Sequence, residues 1–294
     1  MPIVTAIRSF LNNPQAIPKN IFLRLPKTIS PEPHIFVFGA PRSGTTLMKL
    51  ILGAHPKLSS FGYETGLFMY RDIYGFTYER FTQTEIADLI EKSQDIVQFY
   101  DKFTQHITQQ TGGQRFIEKT PQHVLRLKFL LKHFPNAKFI NMFRDGRDGY
   151  CSARHHQNVP QGKSIVRYAY YWKKCINARL KQGDNENIFD VKYEELTNDP
   201  EQVVRQIMNF IGEKYDSRQI NPKYYSQNTI TQDTRQEFRK LSKSIDQASQ
   251  GRWKKELTES EVKQFHEIAG RELEILGYIE DGLKVGTDHL LRNH

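Results

Sequence analysis

Between Gly39 and Gly44 the chain places Ala40-Pro41-Arg42-Ser43, and Thr45-Thr46 follow at once. A guanidinium and three hydroxyls on a glycine turn are groups that hold an oxyanion. The planar fork of Arg42 meets two oxygens together, and Ser43, Thr45 and Thr46 each offer an O–H. The glycines, separated by four residues, have the spacing of a loop whose successive backbone N–H groups cradle a phosphate. Thr45 stands where a nucleoside triphosphatase carries lysine, so the loop lacks the cation that reaches a γ-phosphate. The expected ligand is an anion held without a bound magnesium ion.

The elements around this turn must position it. Ile35–Phe38 is an apolar, partly β-branched run that reads as a buried strand, and Thr46–Leu52 carries helical spacing through Leu47, Leu50 and Ile51. The alternation continues. Strands are expected at Leu58–Phe61, Arg115–Ile117, Lys138–Phe143 and Ile188–Val191. Helices are expected at Thr84–Gln110 (split near Ser93), Gln122–His133, Asp145–His156, Ser164–Leu180 and Asp199–Ile211. Strands separated by helices indicate parallel βαβ units, hence an α/β fold with a P-loop-type central parallel sheet flanked by helices in a single domain. The polar section Glu213–Gln250 reads as loops and short helices over the site. Glu256–Leu276 is amphipathic, with Thr258 and Glu261 spaced as a capping box and Gly277 as the stop. The domain is expected to span 31–280, after an N-terminal arm over 1–30 and before a C-terminal tail over 281–294. The arm mixes Ile7, Phe10, Leu11, Ile21, Phe22 and Leu23 with Arg8, Lys19, Arg24 and Lys27. It is expected to pack on the domain, with peripheral contact to an anionic membrane as the alternative.

In a parallel sheet the residues just after each strand gather along one edge, where ligands of open α/β folds bind. Here those residues are Arg42, Glu64, Glu118 with Lys119, Arg144 and Tyr193. A carboxylate can take a proton from an attacking group, and cations can stabilise charge on a departing phosphate. Arg144 closes a strand, and Ser152 lies eight residues later, two turns along the next helix. A guanidinium and a hydroxyl so placed can share one phosphate.

Pro41-Arg42-Ser43-Gly44-Thr45-Thr46 resembles the 5′-phosphosulfate loop of the sulfotransferases that use 3′-phosphoadenosine 5′-phosphosulfate (PAPS), above all the bacterial branch and its tyrosylprotein relatives. Phe143-Arg144-Asp145 through Ser152 resembles the family's 3′-phosphate site, with the same Arg-to-Ser spacing. Ile117-Glu118-Lys119-Thr120-Pro121 resembles the segment whose lysine stands at the transferring sulfuryl group. Glu64-Thr65 resembles the pair that holds the proposed catalytic glutamate of tyrosylprotein sulfotransferases. One extra residue precedes it here, and Gly66 stands where those enzymes have an arginine that helps hold acidic peptide. Tyr193 resembles the tyrosine at the nucleotide, and Gly251-Arg252-Trp253-Lys254 the segment closing over adenosine and the 3′-phosphate, with a serine between Ser242 and Ser249 as a further contact.

The resemblance, from about His34 to Tyr278, implies transfer of a sulfuryl group from PAPS to a hydroxyl or amine by in-line displacement, releasing adenosine 3′,5′-bisphosphate. Glu64, Lys119 and Arg42 are then the catalytic candidates. Arg42, Ser43, Gly44, Thr45, Thr46, Arg144, Ser152, Tyr193 and Arg252 are the cofactor contacts. His123, one helical turn past Lys119, is the reserve for the base. The acceptor, whether small molecule, glycan, lipid or peptide, and the oligomeric state stay open.

The remaining features narrow the field. Among 294 residues there are two cysteines, Cys151 and Cys175, which fits a reducing compartment and a cytoplasmic protein without a disulfide framework. No run approaches the roughly 18 apolar residues of a membrane span, and the N-terminus lacks the apolar stretch of a signal peptide. The ten histidines show no metal-ligand spacing, since His155 and His156 are simply adjacent. A P-loop kinase or nucleotidase, with Asp145 or Asp190 as its strand-end acid, is the nearest alternative, and the missing loop lysine argues against it. A nucleic-acid-binding protein has only the net charge of +9 in its favour.

Overall fold

In the computed structural model, residues 21–62, 64–69, 73, 81–225 and 245–279 are described. Five parallel strands form one sheet: β1 Ile35–Gly39, β2 Leu58–Ser60, β3 Arg115–Lys119, β4 Lys138–Phe143 and β5 Ile188–Lys192, in the order β2-β3-β1-β4-β5. The anion loop therefore leaves the central strand. The register Val37↔Lys119 and Gly39↔Met142 aligns the ends of β3 and β4 beside it.

Because strand side chains alternate, β1 feeds two cores. Ile35 and Val37 join Ile117, Ile140, Met142 and Val191 on the face covered by α1 (Thr45–Gly53) and by the Pro200–Ile211 helix, packed through Val204, Ile207 and Met208. Phe36 and Phe38 join Phe116 and Phe139 on the other face, against Phe99, Tyr100 and Phe103, Trp172 and Phe265. Among the described residues, the α-helices of six or more residues after α1 are α2 Gln83–Glu91, α3 Ile96–Thr111, α4 Leu127–His133, α5 Gly146–Ala153, α6 Ile165–Leu180, α7 Tyr193–Asn198, α8 Pro200–Ile211 and α9 Glu259–Ile275. Side chains cap their starts: Ser164 accepts from Arg167 N–H at α6, Asp199 from Gln202 N–H at α8, and Thr258 forms the expected reciprocal box with Glu261 at α9.

Two expectations need correction. The single helix expected over Gln122–His133 is a 3₁₀ segment, Pro121–Arg126, followed by α4. His123 N–H bonds to the Thr120 carbonyl three residues back, and this tighter winding accompanies burial of His123 against Phe68. Strand β3 runs two residues further than expected, so Glu118 and Lys119 lie within it and face opposite sides of the sheet. The polar section 213–250 carries short helical turns as expected, at Ser217–Ile220 and Pro222–Tyr225, while 226–244 lies outside the described residues. Most of the arm and the whole tail lie outside them too. The described end of the arm is tied down where Lys27 and Thr28 N–H groups donate to Asp95 and Ser30 N–H donates to the His133 carbonyl.

Candidate active site

The anion loop is shaped by backbone demands at both glycines. Gly39 (φ 156°) leaves no room for a Cβ, which would stand 2.4 Å from the Met142 carbonyl oxygen. Gly44 (φ 95°) would drive one to 2.6 Å from the Tyr193 ring. Arg42 itself takes a left-handed conformation at φ 72°, an arrangement that costs a non-glycine residue energy and clusters at functional sites. Two aromatic side chains of α6 brace the loop and the end of β4 beside it: the Tyr168 hydroxyl donates to the Pro41 carbonyl at 2.6 Å, and Trp172 Nε1–H donates to the Arg144 carbonyl at 3.2 Å. Gly44 caps α1 without a side-chain bond, which leaves the helix N-terminus and its positive dipole end facing the loop.

Two stretches far apart in sequence meet here. Arg144 Nη1 donates to the Arg42 carbonyl at 3.0 Å and Nη2 to the Ser249 carbonyl at 2.6 Å, while the guanidinium lies over the Tyr193 ring at 4.3 Å. Arg42 Nε in turn donates to the Ser152 hydroxyl at 3.0 Å. Arg42, Arg144, Ser152 and Tyr193 thus form one contiguous group, with Ser152 joined through Arg42. Ser249 enters through its carbonyl rather than its hydroxyl, and Ser242 lies outside the described residues. Arg252 is engaged differently: its guanidinium bonds both carboxylate oxygens of Glu256 at 2.7 and 3.1 Å, which holds its charge firmly in place. Its segment is anchored by Asp148 of α5, which accepts from Gly251 and Trp253 N–H groups at 2.7 and 2.9 Å.

On the other side of the loop, Lys119 Nζ donates to Glu64 Oε1 at 2.6 Å and to the Thr46 hydroxyl at 3.3 Å. Lys119 is 6% exposed and Glu64 36% exposed at the side chain. The carboxylate is therefore reachable from solvent, while Phe61 and Phe68, near it in sequence, are buried. Tyr63 lies outside the described residues. His123 is buried to 1% exposure with Nδ1 3.7 Å from Glu118, beneath the site rather than at its mouth.

The interior below this pair holds charges that periodicity alone does not expose. Lys49, on α1, is 5% exposed and donates to the Phe61 and Gly62 carbonyls at 3.2 and 3.0 Å. Burial lowers its ammonium to a pKa of about 7, helped by Lys119 and opposed by Glu64 and Glu118. Burial likewise raises the Glu118 carboxyl to about 7, against the hydroxyl bonds from Thr120 and Thr65. The one available sequence signal was a lysine set among Leu47, Met48, Leu50, Ile51 and Leu52. Among the described residues, no group of three or more His, Cys, Asp or Glu stands together as metal ligands would.

The residues fit a doubly phosphorylated nucleotide. The buried Ser43 Oγ, in the loop, and Arg144 Nε, at the second phosphate stretch, both lack hydrogen-bond partners among the described residues. Buried polar atoms without partners are costly, so a ligand that supplies acceptors would complete both.

The profile of the Sulfotransferase family matches residues 33–217. Protein-tyrosine sulfotransferase 2 of Gallus gallus is 29% identical over 192 residues, covering 61% of this chain and 51% of that protein, so the chain spans about half its length. The sulfotransferase domain of the Synechococcus PCC 7002 olefin synthase superimposes with a TM-score of 0.62 at 22% identity, over 83% of this chain and 97% of that one. Mouse sulfotransferase SULT7A1, solved in complex with PAP, gives a TM-score of 0.55 at 16% identity, over 84% and 86% of the two chains. At these identities the structural likeness speaks for the fold. The family match runs from the strand before the anion loop to beyond Tyr193, through every element that carries the site except the 249–253 segment, and the chain belongs to the sulfotransferase family.

Proposed function

We propose that this enzyme transfers a sulfuryl group from PAPS to a hydroxyl or amine acceptor by in-line displacement and releases adenosine 3′,5′-bisphosphate. The observation that carries the reading is the chain of contacts Glu64–Lys119–Thr46, which sets a solvent-reachable carboxylate and a nearly buried ammonium against the first turn after the anion loop. PAPS, when bound, supplies the activated sulfuryl group. Ser43, Gly44, Thr45 and Thr46 hold its 5′ side, Arg144 with Ser152 its 3′-phosphate, and Arg42 bridges the two through contacts already made. Tyr193, under the Arg144 guanidinium, lies at the nucleotide, and Arg252 approaches from the segment held by Asp148.

Glu64 accepts the acceptor's proton as general base. Its exposure favours it over His123, which is enclosed next to Glu118. Lys119 holds that carboxylate in place and offsets charge that builds on the departing oxygen, and Arg42 does the same from inside the loop. This division of labour needs no divalent ion, because the cations are side chains. The acceptor is a small molecule, glycan, lipid or peptide whose nucleophile reaches Glu64. Cys151 and Cys175 are both buried free thiols, which supports a cytoplasmic setting.

A titration with PAPS, ATP and RNA at moderate salt tests the reading. Tight binding of PAPS and adenosine 3′,5′-bisphosphate with little affinity for ATP or RNA is expected. Preference for ATP would favour a kinase, and preference for RNA a nucleic-acid-binding protein.

A further inference from the structure

The stretch that carries Glu64 has no helix or strand among its described residues between Phe61 and Met69, so side chains outside it do much to place it. Before Glu64, Lys49 reaches from α1 and donates to two successive carbonyls, Phe61 and Gly62. After Glu64, the contacts come from the opposite face of the sheet. Glu118, 1% exposed, accepts from the Thr120 hydroxyl at 2.7 Å, and that hydroxyl oxygen accepts from Gly66 N–H at 3.1 Å. The Thr65 hydroxyl also bonds Glu118 and accepts from Leu67 N–H at 3.3 Å. Both flanks of one carboxylate are thus held by buried charges of opposite sign.

Stability alone does not account for them. Removing an ammonium and a carboxylate from water costs several kcal/mol each, and an apolar side chain of similar volume is often as good or better for the fold. What the charges provide is direction, since a buried ion bonded to backbone or to relay hydroxyls fixes where those groups lie. We propose that Lys49 and Glu118 are positioning residues that pin the two flanks of Glu64 from opposite faces of the sheet and so set its contact with Lys119. The inference concerns where the segment lies, and its catalytic consequence rests on Glu64 acting as the base.

Hydrogen exchange followed by mass spectrometry on the ligand-free full chain tests the pinning without reference to activity. In Lys49→Met, amides of the 61–69 peptide should exchange at least about tenfold faster while α3 and α8 keep their protection, and Lys49→Arg, which still donates to carbonyls, should restore most of it. Thr120→Val, which cuts the relay to Gly66 and leaves Lys49 intact, should loosen the same peptide and carries the test if Lys49→Met does not fold. A double-mutant cycle with Glu64→Gln reads the consequence, using p-nitrophenol, dodecanol and a tyrosine peptide as acceptors for labelled sulfate from PAPS. Lys49→Met should lower kcat about tenfold with PAPS affinity within twofold, and should cost less than about twofold more in the Glu64→Gln background. Unchanged exchange over 61–69 in the variants, or fully additive effects in the cycle, overturns the inference. If Glu64→Gln alone leaves transfer normal, the base assignment falls, and the exchange result alone decides the pinning.

Discussion

Lys119 Nζ lies 2.6 Å from Glu64 Oε1 and 3.3 Å from the Thr46 hydroxyl. Lys119 ends β3, Glu64 lies in the stretch that follows the neighbouring strand β2, and Thr46 belongs to the first turn after the anion loop. This contact brings acceptor chemistry and phosphate chemistry within one side chain of each other. Lys119→Ala should slow transfer by roughly ten- to a hundredfold, the scale of one lost charge-assisted contact at a developing anion. The loss should persist at high pH, where removal of the acceptor proton needs less help. A defect that vanishes at high pH would assign Lys119 to the base step instead.

Arg144 bonds the Arg42 carbonyl and lies over Tyr193, so it steadies the loop, and in the proposed reading it also holds the 3′-phosphate. Arg144→Ala should weaken adenosine 3′,5′-bisphosphate by about 1.5 to 3 kcal/mol, the usual scale for a charge-assisted hydrogen bond, and adenosine 5′-phosphate much less. Calorimetry with both ligands checks this. Equal losses would mean that Arg144 acts on the loop alone.

Much of this was legible in the sequence because it rests on local rules. The glycine spacing of the loop, the alternation of strands and helices and the capping box of Thr258 with Glu261 follow from short-range chemistry and appear where expected. What was hidden depends on long-range packing. The Arg42–Ser152 contact spans 110 residues, beyond the reach of any spacing argument. The 3₁₀ winding of Pro121–Arg126 turns His123 inward, which periodicity does not distinguish from an α-helix. Lys49 was hidden in plain view, since a lone lysine on an apolar helix face reads as an exposed interruption until Phe61 and Gly62 are seen to fold over it.

The buried pair below Glu64 should mark the pH dependence of stability. Glu118 has a folded pKa of about 7 against an ordinary value of 4.5, so the native state holds more protons between those pH values and stability from this group falls as pH rises through that window. Lys49 has a folded pKa of about 7 against 10.5. The unfolded chain then holds more protons between about 7 and 10.5, and stability from this group rises there. Glu118→Gln should remove a loss on the order of 2 to 3 kcal/mol between pH 4.5 and 7, and Lys49→Met should flatten the rise above pH 7. Urea denaturation at fixed pH values measures both. Slopes unchanged from the parent protein would show that these groups do not titrate as buried charges.

The cations of the site are the side chains of Arg42, Lys119 and Arg144, and Thr45 occupies the position of a P-loop lysine. Transfer from PAPS should therefore continue in excess EDTA. Loss of transfer on chelation, with recovery on adding magnesium, would support phosphoryl-type chemistry in its place.

The most direct test of the account is single-turnover transfer of labelled sulfate from PAPS by the parent protein and by Glu64→Gln, with PAPS affinity measured separately. The substitution keeps size and removes the proton acceptor, so affinity should stay within about twofold while the transfer rate falls by roughly a hundredfold or more. A near-normal rate in Glu64→Gln, together with loss of transfer in His123→Ala, would contradict the account and hand the base to the buried histidine beside Glu118.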